Sequence, residues 1–168
     1  MQTSLVMTVL GPDRPGLVRA LADAVKEHDG SWLESRMTRL SGQFAGVVRV
    51  ECPAAKAEVL AEALAALNTL GLTVQIVRED VPDAAERITV RVEVTGHDRP
   101  GIVSSLTTAI AGAGGNVEEL VTGLESAPMS GHPLFRAKGV VSLLSESETP
   151  VLVAAIERLG GDLTVDIS

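Results

Sequence analysis

The chain has 168 residues with 14 basic and 22 acidic side chains, which gives a net charge of −8. Neither half of the chain is basic, whereas affinity for nucleic acids comes mostly from lysine and arginine. Hydrophobic residues make up 45% of the chain but aromatic residues only 2%, so the expected core is aliphatic and a base-stacking platform is excluded. We therefore expect no direct binding of nucleic acid.

Cysteine usage and the N-terminal segment bear on the cellular compartment. Cys52 is the only cysteine, which excludes an internal disulfide and is compatible with a reducing cytosol. The apolar run at residues 5–10 is too short for a signal sequence or a membrane span. We expect a cytoplasmic protein without membrane contact.

The first part of the chain predicts six elements in order. An apolar strand ends at Gly11, and Leu17, Leu21 and Val25 then form the stripe of an amphipathic helix that ends near Gly30. A second strand covers roughly 31–40 and a third begins near Phe44. A second helix is predicted over roughly 54–68, and a short alternating strand follows at 72–76.

The second part repeats this order. The segment GPDRPGL at 11–17 returns as GHDRPGI at 96–102, and the shift of 85 residues also aligns Gly30 with Gly115 and Glu34 with Glu119. The repeat predicts a strand at 88–94, a helix ending at 114–115, strands at 116–124 and from Phe135, a helix at 149–159 and a strand at 163–167. The connection at 126–133 is longer than its counterpart.

The order βαββαβ, found twice, predicts an α+β protein of two ferredoxin-like units. Each unit is expected to be a four-stranded antiparallel sheet with two helices on one face. We assign 1–80 to the first unit, 81–85 to a linker and 86–168 to the second unit. Because sheet edges invite pairing, we expect the units to pack against each other or against a second chain as a homodimer.

The repeated turn has two interpretations. In the structural one, Asp13 caps the helix, Pro15 occupies its first turn, where a missing N–H costs nothing, and Gly16 clears its entrance. In the functional one, the unobstructed helix N-terminus binds a carboxylate. A small zwitterion suits this site because its ammonium group faces Asp13 or Asp98.

The duplicated strand, DRPG turn and helix resemble the ACT domain, a module of amino-acid metabolism that senses small molecules. Two such units filling the chain resemble the glycine cleavage system transcriptional repressor family. That resemblance implies a non-catalytic protein that senses an amino acid, glycine among the candidates, and acts through a protein partner such as a transcription factor. It also implies a site at the interface of two units, made of the turn and of a polar residue opening the second strand. The ligand-binding residues we expect are Gly11, Asp13, Pro15, Gly16 and Ser31, and Gly96, His97, Asp98, Pro100, Gly101 and Asn116.

The second site is expected to be the better formed, because Asn116 is the residue usual in the family and Ser31 departs from it. Of the three histidines, only His97 lies in a repeated turn; His28 and His132 are interpreted as ordinary polar residues, and Trp32 and Cys52 as packed side chains. No catalytic, metal-binding or cofactor motif is found. We therefore expect no enzyme and no cofactor. The alternative is a regulatory subunit of an amino-acid biosynthetic enzyme, against which the duplicated turn counts.

Overall fold

The computed structural model describes residues 1–78, 86–129 and 131–168. The chain divides into two compact units, Met1–Pro82 and Asp83–Ser168, and the linker predicted at 81–85 lies outside the described residues. The first unit consists of β1 (Gln2–Pro12), α1 (Leu17–Glu27), β2 (Ser31–Leu40), β3 (Gln43–Pro53), α2 (Ala57–Ala65) and β4 (Thr73–Arg78). The second consists of β5 (Ile88–His97), α3 (Ile102–Gly112), β6 (Asn116–Ser126), β7 (Pro133–Leu143), α4 (Thr149–Glu157) and β8 (Thr164–Ile167).

Both sheets are antiparallel and have the same strand order. The order is β2-β3-β1-β4 in the first unit and β6-β7-β5-β8 in the second. In each unit one hydrophobic cluster combines side chains of both helices with those on one face of the sheet, so both helices cover the same face. The predicted fold class is confirmed: the chain consists of two ferredoxin-like βαββαβ units.

The core of each unit is aliphatic, as the composition predicts. Met7, Leu21 and Leu60 are fully buried in the first unit, and Leu143 and Leu152 in the second. Cys52 is also fully buried, and burial raises the pKa of its thiol. Trp32 is half-buried against the first core and donates from Nε1 to Ser35 Oγ at 3.3 Å.

The first helix of each unit ends in the same hydrogen-bond pattern. The N–H of Gly30 donates to the carbonyl of Val25 at 2.8 Å, and the N–H of Gly115 donates to that of Ile110 at 2.9 Å. The residue before each glycine has left-handed backbone, with φ 55° at Asp29 and 80° at Gly114. These six-residue loops are Schellman motifs, which satisfy the last carbonyls of the helix.

Candidate functional site

The two repeated turns connect β1 to α1 and β5 to α3, and both end in a left-handed glycine. Gly16 has φ 88° and Gly101 φ 80°, and each precedes the first residue of its helix. A Cβ atom on either glycine would meet no atom within 4 Å. Neither helix start has a side-chain cap, so the first-turn N–H groups of both helices have no side-chain acceptor, although that of Ile102 donates to the carbonyl of Arg99 at 3.2 Å.

The predicted role of Asp13 as helix cap is wrong, because the left-handed Gly16 delays the helix until Leu17. Pro15 accordingly lies in the turn before the helix and not in its first turn. The Asp13 carboxylate instead lies 3.2 Å from Arg39 Nη1 on β2. The backbone N–H of Asp13 donates to the carbonyl of Gly42 at 2.9 Å. The turn is therefore joined to the β2–β3 connection by one backbone hydrogen bond and one exposed ion pair.

The β5–α3 turn is held by a residue that the sequence did not single out. Asp162 in the α4–β8 loop accepts a hydrogen bond from the backbone N–H of His97 at 2.9 Å. Its other oxygen lies 3.6 Å from Arg99 Nη1, while Arg99 Nη2 donates to the carbonyl of Leu159 at 2.7 Å. The N–H of His97 contributes most to lowering the pKa of Asp162, and Arg99 also lowers it. We call Asp162, His97 and Arg99 the Asp162 clamp.

The β1–α1 turn has no equivalent of this clamp. Pro12 stands where the second unit has His97 and offers no N–H, and Gly71, with φ 87°, stands where the second unit has Asp162. Arg14 is exposed and makes no hydrogen bond or ion pair within residues 1–78, 86–129 and 131–168. The two turns therefore share their motif but not their surroundings.

Gly11 and Gly96, which open the two turns, are glycines because of close packing and not because of a left-handed backbone. A Cβ atom on Gly11 would lie 2.6 Å from the carbonyl oxygen of Gly71, and one on Gly96 would lie 2.3 Å from Leu163 Cδ2. Gly11 and Gly96 are thus small because the loop before the last strand lies against them. Of these four turn glycines, Gly16 and Gly101 are the two beside which a Cβ atom would find open space.

Within one unit the structure does not bring the turn and the opening of the second strand together. Asn116 pairs with Ser142 and Ser142 with Thr89, at the start of β5, whereas the turn follows its end at His97. Gly96 lies seven positions beyond Thr89 along β5, a distance of about 23 Å. Ser31 is likewise level with Ser4 and not with Gly11. Within one unit Asn116 therefore does not share a pocket with Gly96, Asp98 and Gly101, and the expected site at an interface of two units stays a prediction.

Asn116 already has a partner in its own unit. Its Nδ2 donates to Glu118 Oε1 at 2.9 Å, and Ser142 Oγ donates to the same oxygen at 2.6 Å. The hydrogen bond from Ser142 is the main cause, and that from Asn116 the second, of a lowered pKa at Glu118. The amide of Asn116 is thereby oriented at the exposed start of β6.

The other residues considered from sequence are in ordinary surroundings. His28 Nδ1 is 2.8 Å from the carbonyl oxygen of Ala24, and His132 is exposed. Among the described residues, no group of three histidine, cysteine, aspartate or glutamate side chains is arranged to hold a metal ion. No helix in the described part of the chain is both long enough and apolar enough to cross a bilayer.

Comparison with known sequences gives the family. The profile described as "ACT domain" matches residues 3–77 and 89–121. The chain belongs to the ACT domain family. It is 29% identical over 137 residues to phosphoserine phosphatase SerB2 of Mycobacterium tuberculosis, a match that covers 77% of this chain and 33% of the phosphatase. It is also 36% identical to the UPF0237 protein MK1213 of Methanopyrus kandleri, over 51% of this chain and 99% of that protein. The chain thus spans about a third of the first of these relatives.

Two of the solved structures that resemble this chain align over its whole length. An unknown protein from Galdieria sulphuraria aligns with a TM-score of 0.84 at 29% identity, covering 100% of this chain and 98% of that one. A protein described as a candidate glycine cleavage system transcriptional repressor aligns with a TM-score of 0.73 at 18% identity, over 100% and 97% of the two chains. At that identity the second likeness shows the fold, a tandem of two ACT units.

Proposed function

We propose that this ACT protein is a non-catalytic regulator that senses a free amino acid and passes the signal to a protein partner that controls transcription. The observation that carries the proposal is the helix start behind a left-handed glycine, open to solvent and present in both units. Glycine is among the candidate ligands, because the tandem of DRPG turns resembles the glycine cleavage system transcriptional repressor family.

The carboxylate of the amino acid is proposed to bind at the start of α3. Its first-turn N–H groups have no side-chain cap, and the helix dipole adds positive potential there. The ammonium group is proposed to face Asp98, which is exposed and has no side-chain partner within the described residues. Asp13 is less suited to this role because Arg39 already lies beside it.

The proposal favours the β5–α3 turn over the β1–α1 turn. The Asp162 clamp fixes the backbone at His97 before any ligand arrives, so less ordering entropy is lost on binding. Asn116 and Ser31 each lie at the far end of their own sheet from the turn. In the proposed ligand site, the polar residue that opens a second strand therefore has to come from a different ACT unit.

The remaining parts of the proposal rest on charge. With a net charge of −8 the chain is repelled by DNA, so a regulatory effect on transcription requires a protein partner. No cofactor is needed for sensing, and we propose a cytoplasmic location, where free amino acids are available.

A thermal-shift screen of the standard amino acids tests the proposal. A ligand at about 100 times its dissociation constant should stabilise the fold by ~2.7 kcal/mol. Calorimetry with the responsive amino acid should then show that Asp98→Ala weakens binding by about 1–3 kcal/mol. The matched variant Asp13→Ala should bind almost as the wild type does. Absence of any shift, or equal losses from the two variants, would contradict the proposal.

A further inference from the structure

The sheet of the first unit has one face under the helices and one face whose side chains are exposed. Along β1, Met7 and Val9 are buried in the core, so the alternating Thr8 and Leu10 lie on the opposite face. The pairing register places two rows of side chains across all four strands of that face. One row is Arg36, Val47, Thr8 and Gln75, and the other is Thr38, Ala45, Leu10 and Thr73.

These two rows form the floor of a groove of about 620 Å³, which we call the open-face groove. Its centre is apolar, with Leu10 53% and Val47 46% exposed. Threonine and glutamine side chains surround this centre, and Arg36 on β2 is the only charged residue in the two rows. An apolar cleft with a few polar groups is the usual form of a small-molecule site.

The equivalent face of the second unit is charged. Thr8 and Val47, which pair across β1 and β3, correspond there to a charged pair. That pair is Glu93 and Lys138, and Glu93 Oε1 lies 3.7 Å from Lys138 Nζ. Arg136 Nε lies at the same distance of 3.7 Å from that oxygen. The apolar groove is therefore a property of the first unit and not a general consequence of the fold.

The size of the groove favours a small molecule over a protein. Four strands about 4.8 Å apart and two rows about 7 Å apart give a floor of roughly 100 Å². A standard protein interface buries about 800 Å² per partner. The groove volume of about 620 Å³, in contrast, lies within the range of about 300–1,000 Å³ that small-molecule sites occupy.

Charge identifies the class of ligand. In a chain with net charge −8, an anionic ligand needs a local positive group, and Arg36 provides one at the edge of the groove. An arginine has five N–H donors, so it can hold a carboxylate while it keeps its other contacts. The rest of the floor is uncharged and suits a hydrocarbon chain.

We infer that the open-face groove binds a small carboxylic acid with an apolar tail, the carboxylate at Arg36 and the tail over Val47 and Leu10. Two strand spacings, about 9.6 Å, separate β2 from β1, so a chain of about eight carbons spans the distance from Arg36 to Leu10. This inference does not rest on the proposed function, because the groove lies on the face of the sheet opposite the helices.

Octanoate and its uncharged analogue octanol test the inference in a titration of the full chain followed by amide NMR. Octanoate should shift the amide signals of Thr8, Leu10 and Gln75 and should bind at least about tenfold more tightly than octanol. Absence of these shifts at millimolar octanoate, or equal affinities for the two probes, overturns the inference.

Two variants locate the site. Arg36→Gln should weaken octanoate binding about tenfold and leave octanol binding unchanged, because only the charge is lost. Val47→Glu puts a negative charge on the floor and should weaken octanoate binding by more than about tenfold. The control Val121→Glu adds the same charge at a 70% exposed site on β6 opposite Lys138 and should bind as the wild type does. Equal affinities of Val47→Glu and its control, or equal losses of both probes in Arg36→Gln, would contradict the assignment.

Discussion

The β1–α1 and β5–α3 turns share Asp-Arg-Pro-Gly in the same register, yet only the second is clamped. Arg99 is half-buried and donates to the carbonyl of Leu159, whereas its counterpart Arg14 extends into solvent. The difference originates in the loop before the last strand, where Asp162 in one unit takes the place of Gly71 in the other. A duplicated motif therefore has different mechanical properties in its two copies, because a residue outside the motif decides which backbone groups are held.

The glycines that the two turns share have the same structural roles in both units. Both helices begin after a left-handed glycine, and in both units a second glycine lets the loop before the last strand pack against the turn. The motif thus specifies the path of the chain. The clamp then adds rigidity to that path in the second unit only.

The largest difference between the units is expected at the packing glycines. The Cβ of an alanine at position 11 would lie 2.6 Å from the carbonyl oxygen of Gly71, which is backbone and cannot rotate away. At position 96 the first obstacle is Leu163 Cδ2 at 2.3 Å, the end of a side chain that can change rotamer. We expect Gly11→Ala to lower the free energy of unfolding by about 2–3 kcal/mol and Gly96→Ala by about 1 kcal/mol.

Urea unfolding measures this difference. Trp32, the only tryptophan, packs against the first core, so its fluorescence reports the first unit, and circular dichroism reports both. Gly11→Ala should shift the fluorescence transition, whereas Gly96→Ala should shift only the circular dichroism. Equal losses for the two variants would mean that the loop at Gly71 moves as easily as the Leu163 side chain.

The second expected effect concerns the Asp162 clamp. Asp162→Ala removes the acceptor of the His97 amide, so hydrogen exchange at this amide should become several-fold faster. Asp166→Ala, an exposed aspartate four positions further along, is the matched control and should leave the exchange unchanged. If the His97 amide exchanges as slowly in both variants as it does in the wild type, the clamp does not hold the turn.

The clamp should also depend on pH. The hydrogen bond from the His97 amide lowers the pKa of Asp162 below its ordinary value of 3.8, so the folded protein binds this proton less readily than the unfolded protein does. Its stabilising effect is therefore complete above the ordinary pKa and is lost as the pH falls through the lowered folded value. Because Asp29 and Glu118 also have lowered pKa values, the difference between wild type and Asp162→Ala isolates the contribution of Asp162.

Much of the fold can be predicted from the sequence because its signals are local and occur twice. Strand alternation, the stripe of α1 and the repeat of 85 residues each depend on neighbouring residues or on direct self-comparison. The helix start was placed three residues too early, because the pattern gave Asp13 the usual role of a cap and missed the left-handed glycine.

The arrangement of the site was harder to predict because it depends on contacts between distant residues. Asp162 lies 65 positions along the chain from His97, whose amide donates a hydrogen bond to it. The first unit has no equivalent aspartate from which this contact could be predicted. The separation of Asn116 from the turn does have a signal in the topology. A strand that follows a helical crossover runs parallel to the strand before it, so its first residue lies beside the start of that strand and not beside its end.

The smallest effect is expected at the ion pair of the β1–α1 turn. Asp13 lies 3.2 Å from Arg39 Nη1, but the Arg39 side chain is 72% exposed, so water screens the pair and the long side chain loses entropy on forming it. We expect Asp13→Ala to change the free energy of unfolding by no more than about 0.5 kcal/mol. Arg39→Ala should give a similar value, and the double variant should show little coupling when followed by Trp32 fluorescence. A loss above about 1 kcal/mol would show that this ion pair, like the Asp162 clamp, fixes its turn, and would remove the main difference between the two units.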